Sequence, residues 1–343
     1  MRAAVFHGIG DLRLEEREIP KPKEGEVVVK VDTSGLCPTD VRIYKFGSSL
    51  VKPPIVLGHE FSGSVYSIGA LVDIQEGVKV NVAADAYCGV CPMCQSGYEN
   101  LCSQPLSFGY NVDGAHADYV LIPKRFVKKG LLFKVPNHIP MEEAAMTEPF
   151  ACVMHSIKVS GTIFEKNVAI IGDGPMGILH ALAAKLYGAN EIILVGLTDW
   201  KLKLGEFFGA SRIINAKEHN VVESIGEYCK NGVDVTILTV VNSETFTEAL
   251  KITRKRGYII IFAGIPKGST FSFDPNEIHY NEISIMGSSG YTYKEYEEAF
   301  NLIANKNLQL SRLISHQFEL SQIREAISKW EDKENSLKII LKR

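Results

Sequence analysis

Four of the seven cysteines in this chain fall between Cys88 and Cys102, as Cys88, Cys91, Cys94 and Cys102 in a C-x2-C-x2-C-x7-C spacing. Thiolates this close can surround one tetrahedral Zn²⁺ at sulfur distances of roughly 2.3 Å. A pair of disulfides is the competing reading, but nothing secretory in the sequence supports oxidation. Four protein ligands leave no coordination position open, so such a metal staples a loop and does no chemistry. A second set of ligand types lies outside the quartet. Cys37 stands in Gly35-Leu36-Cys37-Pro38-Thr39-Asp40, His59 and Glu60 in Gly58-His59-Glu60-Phe61, and Glu148 in Thr147-Glu148-Pro149. Thiolate, imidazole and carboxylate are all zinc ligands, and three of them leave a place for water or substrate. Singly, each has a plainer reading. Cys37 reads as a small buried hydrophobe, Glu148 as a helix-start carboxylate, and Gly-His-Glu as a turn. The constellation outweighs these separate readings.

A third feature binds rather than reacts. Val168-Ala169-Ile170-Ile171 runs into Gly172-Asp173-Gly174-Pro175-Met176-Gly177 and then an apolar stretch, Ile178 to Tyr187. A strand, a G-x-G-x-x-G turn and a helix in succession form a dinucleotide fingerprint. Gly172 permits the tight turn, Gly174 lets the backbone approach a pyrophosphate, and Gly177 lets the helix pack on the strand. Pro175 and Met176 open that helix, whose N–H groups and dipole favour phosphate. An acidic side chain about 20 residues on would take the adenosine ribose hydroxyls. That slot, after Val195, holds Gly196, and Asp199 three residues later reads as a helix-start carboxylate. Without the acid a 2′-phosphate is not repelled, and Thr198 with Lys201 or Lys203 could receive it. No arginine follows Gly196 directly. The expected cofactor is NAD or NADP, with the balance tipped to NADP.

These residues need two kinds of scaffold. Up to about residue 148, short β-type runs (Glu26–Val31, Gly63–Ile68, Tyr119–Ile122) are broken by Gly and Pro. They suggest an all-β lobe of barrel type, with the cysteine quartet on an excursion at about 85–105. Met1–His7 reads as a strand, not a cleavable leader. From Asn167 onward, apolar strands alternate with helical stretches: Val168–Ile171, Ile192–Val195, Arg212–Ile214, Val235–Leu238, Tyr258–Phe262 and Ile283–Met286. Continuous apolar runs suit parallel strands covered on both faces, hence a doubly wound sheet. The tail from about Gly290 holds two amphipathic stretches and a closing strand, Leu337–Leu341, and is expected to pack back on the N-terminal lobe. The expected domains are 1–149 with 290–343, and 150–289. A net charge of −3 argues against nucleic acid as a partner. No apolar run reaches the length of a membrane span. Reduced thiols without a targeting segment suggest the cytoplasm.

On Cys37-Pro38-Thr39-Asp40, Gly58-His59-Glu60, the lobe cysteines, Glu148-Pro149 and Gly172 to Gly177, the chain resembles the zinc-dependent medium-chain dehydrogenase/reductase superfamily. The likeness spans essentially the whole length and is nearest the sorbitol and threonine dehydrogenase branch. It implies a discontinuous GroES-like β-barrel catalytic domain joined to a Rossmann domain, two zinc ions per chain, and a homotetramer or homodimer. The implied reaction is NAD(P)-dependent interconversion of a secondary alcohol (polyol, sugar alcohol, cyclitol or amino alcohol) and its ketone. By position, Cys37 and His59 become catalytic zinc ligands, Glu60 an exchangeable one, and Glu148 the ligand where the ethanol-type branch has cysteine. Cys152, one turn beyond Glu148, is its rival. Asp40 would orient the imidazole, and Thr39 would hydrogen-bond the substrate oxygen and hand on its proton. Where many members carry histidine two residues after the aspartate, this chain has Arg42. Arginine cannot act as a base, so the outer relay step falls to water, the cofactor ribose or a glutamate. Its fixed charge suits the cofactor's phosphates instead. Two other classes compete. A zinc-free quinone or enone reductase lacks the Cys/His-Glu set and the thiol lobe. A non-catalytic cofactor-binding protein would not need an open metal site.

Overall fold

Strand β1 (Val27–Leu36) organises the first of two units in the computed structural model, which describes residues 1–265 and 268–343. That unit comprises Met1–Ala151 and Thr292–Arg343; the second is Cys152–Tyr291. β1 is flanked on one side by β2 (Glu60–Ile68), antiparallel along its length. Beyond β2 lie β3 (Lys79–Val82) and then β5 (Leu132–Lys134). On its other side β1 changes partner midway. Its first half pairs with β4 (Tyr119–Ile122), and its second half with the closing strand Lys338–Lys342. The tail of the chain therefore completes the sheet that its beginning starts. In this register Gly35 stands opposite Glu60 on one side and Ile340 on the other.

β1 runs directly into helix α1 (Pro38–Phe46), with Cys37 as the residue before its first turn. Pro38 fits the first helical position, where no N–H partner is needed. Asp40, three residues past the cap, accepts a hydrogen bond from the Cys37 backbone N–H at 3.0 Å. Val41 and Ile43 bury the inner face of α1 against Leu36, Leu57, Ile339 and Leu341. The apolar contacts fix the helix, and the helix fixes Cys37.

Helix α2 (Thr147–Val159) carries the chain from one unit into the other. The second unit is a six-stranded parallel sheet. Its strands are β6 (Val168–Ile171), β7 (Ile192–Gly196), β8 (Arg212–Asn215), β9 (Val233–Leu238), β10 (Thr253–Ile261) and β11 (Ser284–Gly287). They lie in the order β8-β7-β6-β9-β10-β11, so the winding reverses between β6 and β9. Crevices for ligands open at the carboxyl ends of strands beside such a reversal. All four residues of β6 are buried, as a central strand covered on both faces requires. β10 starts five residues earlier than its apolar run suggests, because its first turn is charged: Arg254 pairs with Asp234 at 2.7 Å instead of entering the core. Among the described residues, no helix is long and apolar enough to cross a membrane.

Candidate active site

The junction of β1 with α1, the start of β2 and the closing strand meet at one point. There the Cys37 sulfur, a His59 ring nitrogen and a Glu60 carboxylate oxygen lie within 4.8 Å of one another. His59 and Glu60 are buried and Cys37 is half-buried. Gly35 makes room for this: a Cβ there would collide with Glu60 Oε2. Gly58, at φ +97°, turns the chain into His59 in a conformation that side-chain-bearing residues rarely adopt.

Each charge in this pocket has a counterpart. The Lys338 ammonium, only 5% exposed, donates to Glu60 Oε2 and stands 3.5 Å from the Leu36 carbonyl. Burial works against its charge, but Glu60 and then Cys37 outweigh burial and raise its pKa. Asp40 faces two imidazoles, with His59 Nδ1 and His116 Nε2 each 3.5 Å from a carboxylate oxygen. Burial would raise the Asp40 pKa; the positive charge of His59, with His116 behind it, holds the carboxyl well below the usual range. The His59 pKa rises despite burial, through the charges of Asp40 and Cys37, while burial pushes the Cys37 thiol up. A pocket whose charges favour a proton on a buried imidazole favours a divalent cation in the same place. The donor types fit zinc. Both His59 Nδ1 and His116 Nε2 are buried without a hydrogen-bond partner, so charge at 3.5 Å rather than a hydrogen bond couples them to Asp40.

Glu148 does not join the converging trio. It sits half-buried in the first turn of α2, close enough to help raise the Lys338 pKa. Cys152 lies one turn further along the same helix. Thr39 is half-buried in the first turn of α1, two residues beyond Cys37, and Arg42 is exposed on the same helix. Three participants carry no sequence motif: Lys338, His116 and Tyr110, whose ring centre is 6.4 Å from that of His59. His116 Nδ1 lies 3.0 Å from Ser34 Oγ, on the side of the ring away from Asp40.

The quartet is assembled differently. Cys88 and Cys94 sulfurs are 3.9 Å apart, well beyond the roughly 2.05 Å of a disulfide, and all four cysteines are free and half-buried. Backbone N–H groups point at the sulfurs: Cys91 donates to Cys88 Sγ at 3.3 Å, and Cys88 to Cys102 Sγ at 3.2 Å. N–H donors from Cys94 and Ser103 lower the Cys91 pKa to about 5, whereas desolvation pushes Cys94 up to about 12. Four thiolates at these separations need a cation to be charged together.

In the second unit the Gly172–Gly177 turn leaves β6 and enters helix α3 (Pro175–Leu186). A Cβ at Gly177 would strike the Gly172 carbonyl, while one at Gly174 would meet open space, where a pyrophosphate can approach the backbone. No side chain caps the α3 N-terminus. Gly196 ends β7 as expected, but the neighbourhood is not empty. Asp173 Oδ2 accepts hydrogen bonds from the backbone N–H groups of Leu197 and Thr198, at 2.8 Å each. Thr198 is the residue before helix α4 (Asp199–Phe208), and its side chain makes no capping hydrogen bond. Lys201, expected to reach a 2′-phosphate, is only 4% exposed on that helix, its ammonium 5.5 Å from the Trp200 ring centre. Lys203 is exposed.

A β-unit bearing an open Cys/His/Glu cluster and a four-thiol lobe, with a doubly wound dinucleotide unit, defines a class: zinc-type nicotinamide-dependent dehydrogenases. Comparison with known proteins bears this out. Residues 23–136 match the alcohol dehydrogenase GroES-like domain, and residues 175–305 match the zinc-binding dehydrogenase domain. Sorbitol dehydrogenase of Bacillus subtilis (strain 168) is 31% identical over 335 residues, covering 96% of this chain and 93% of that protein. A Sinorhizobium meliloti 1021 protein solved bound to NADP superposes with a TM-score of 0.92 at 30% identity, covering 100% and 99% of the two chains. An alcohol dehydrogenase from E. coli CFT073, complexed with NADH, gives 0.90 at 26% identity over 100% and 99%. The chain belongs to the zinc-dependent medium-chain dehydrogenase superfamily, and it is an NAD(P)-dependent oxidoreductase acting on CH–OH groups.

Proposed function

We propose that the protein interconverts a secondary alcohol of polyol type and its ketone at the Cys37–His59–Glu60 pocket. The observation carrying this reading is the convergence of three different zinc-ligand types in a buried pocket whose charges are individually balanced. Cys37, His59 and Glu60 would hold a zinc ion, which would supply Lewis-acid polarisation of the alcohol oxygen. The Gly172–Gly177 turn would hold a nicotinamide dinucleotide, which would supply the hydride acceptor.

The chain's own residues do the rest. Asp40 holds the first turn of α1 through the Cys37 N–H and faces His59, fixing the orientation of both ligands. Thr39, in that same turn, takes the substrate's hydroxyl proton on Oγ and passes it outward. Arg42 is charged throughout and cannot be the next base; it supplies positive charge for the cofactor's phosphates. Lys338 donates to the Glu60 carboxylate and holds it beside the pocket, where it can exchange with solvent or substrate. Glu148, in the first turn of α2 and outside the converging trio, is the residue we assign as fourth ligand once zinc is bound. Tyr110 lies against His59 and bounds the pocket on that side. The four-thiol lobe binds the second zinc ion and shapes its own loop only.

The quartet needs reduced thiols, which supports a cytoplasmic location. β11 ends its sheet with one paired neighbour, an edge suited to joining a second copy in a homotetramer or homodimer. The test is metal analysis with a dehydrogenase assay over a panel of polyols, sugar alcohols, cyclitols and amino alcohols. We expect two zinc equivalents and nicotinamide reduction with at least one secondary alcohol. A protein with one zinc and no turnover across the panel overturns the reading. Turnover of quinones or enones without metal would assign it to the zinc-free reductases.

A further inference from the structure

We propose that Asp173 selects NAD(H) over NADP(H), acting from the phosphate loop in place of the missing acid at the end of β7. The proposal rests on the cofactor reading above and reverses the expectation drawn from Gly196 alone.

Dinucleotide sheets of this kind discriminate with a carboxylate at the end of the second strand, which binds the ribose hydroxyls and repels a 2′-phosphate. Gly196 ends β7 and has no side chain to offer. The space its side chain would fill is already taken. A Cβ at 196 would lie 2.6 Å from both Cγ and Oδ2 of Asp173. The carboxylate therefore arrives at the expected corner, carried by the second residue of the G-x-G-x-x-G turn. Position 196 is glycine because Asp173 lies over it.

Two hydrogen bonds hold it there. Oδ2 accepts from the Leu197 and Thr198 amides, both at 2.8 Å. These are the N–H groups that an anion at the start of α4 would otherwise use. Asp173 thus removes two donors from a prospective 2′-phosphate and adds a negative charge. Its other oxygen, Oδ1, accepts no hydrogen bond among the described residues, which leaves it for the ribose hydroxyls. The surrounding charges do not reverse this. Asp199 adds a second carboxylate, tied to Asn215 at 2.7 Å. Of the lysines on these elements, Lys201 is buried along α4, while Lys203 and Lys217 are exposed. Lys217 follows Ala216, whose N–H donates to the Gly196 carbonyl at 2.9 Å. Asp173 and Asp199 match those two charges. Like charges about 5 Å apart at a protein surface weaken binding by roughly 10- to 100-fold. Two known structures like this chain do not decide the matter, since one holds NADP and the other NADH.

The experiment titrates the full-length zinc-loaded protein with NADH and with NADPH, following nucleotide fluorescence, so that no alcohol substrate is needed. Wild-type protein is expected to bind NADH at least about tenfold more tightly than NADPH. Asp173→Asn keeps an acceptor oxygen for both amides and removes only the charge. It should narrow the ratio by about tenfold, chiefly through tighter NADPH. A structural role for Asp173 would instead shift both affinities together. Competition by AMP against adenosine 2′,5′-bisphosphate in the unsubstituted protein gives the same ratio without a variant. Equal binding of the two nucleotides, a preference for NADPH, or a ratio unchanged in Asp173→Asn overturns the proposal. Binding of neither nucleotide overturns the cofactor reading and this proposal with it.

Discussion

In the Cys88–Cys102 lobe, four thiols come from one stretch of chain and are held by backbone N–H groups of that same stretch. Cys37, His59 and Glu60, by contrast, come from the ends of two strands and lean on residues remote in sequence. Lys338 is brought to them by the sheet, 278 residues from Glu60, and His116 by the loop ahead of β4. The lobe's groups are half-buried and all thiols, whereas the pocket's groups are of different kinds, and most are buried beside a specific opposite charge. A cluster coded locally can fail alone. A cluster made by sheet register cannot lose one member without leaving a buried charge uncompensated, which is costly. On the proposed reading chemistry belongs to the second kind, because three ligands leave open a coordination position that four thiols would close.

The sharpest test of this contrast substitutes one sulfur from each cluster. Cys37→Ala should lose about 10³-fold or more in kcat/KM, several kcal/mol of lost transition-state stabilisation, and one of two zinc equivalents. Circular dichroism should stay native. Full activity in this variant would remove the pocket from the mechanism. Cys94→Ala should also lose one zinc equivalent, but its cost falls on stability. A loss of about 3 kcal/mol lowers Tm by roughly 6–12 °C in units of this size. Turnover per folded molecule should stay near wild type. If Cys94→Ala instead abolished turnover at unchanged fold, the division of labour between the clusters would be wrong.

The same contrast explains what could be read from sequence. The quartet was fully legible, because both its ligands and its geometry sit within fifteen residues. The ligand types of the pocket were legible too, and so were the six parallel strands, as unbroken apolar runs. The supports of the pocket were not. Lys338 lies in Leu337-Lys338-Ile339, where a charged residue beside apolar ones reads as the solvent face of a strand. Only pairing of that strand with β1 turns it towards Glu60. His116 carries no spacing signal at all. Asp173 was visible, but as an unremarked residue between two glycines. Its contact with Leu197 and Thr198 depends on how two neighbouring strands end.

Lys338→Met tests that remote support at intermediate cost. It leaves the buried Glu60 carboxylate without its ammonium, which should destabilise the protein by about 3–5 kcal/mol. The Lys338 pKa is raised in the folded state, so its contribution is fully present below the unfolded value of about 10.4 and is lost only as pH climbs through the folded one. Urea unfolding of wild type and variant should therefore differ by a constant amount from neutrality to about pH 10. An equally stable variant would show that the pair contributes nothing net.

Asp40→Asn should produce the smallest effect and the most specific one. Asparagine keeps an acceptor for the Cys37 N–H and loses the charge that faces His59 and His116. Zinc affinity at the pocket should fall by about 10- to 100-fold, with the lobe's zinc untouched. The acid limb gives an independent check. The Asp40 carboxyl is held below its ordinary range in the fold, so its stabilisation is complete above the unfolded value near pH 3.9 and is lost as pH falls through the folded value. Asparagine has no such dependence. The unfolding free energies of chelator-treated wild type and variant should hence differ at neutral pH and converge below about pH 4. Curves that stay parallel into acid would mean that Asp40 positions the ligands by shape alone. The two clusters would then differ in architecture but not in electrostatics.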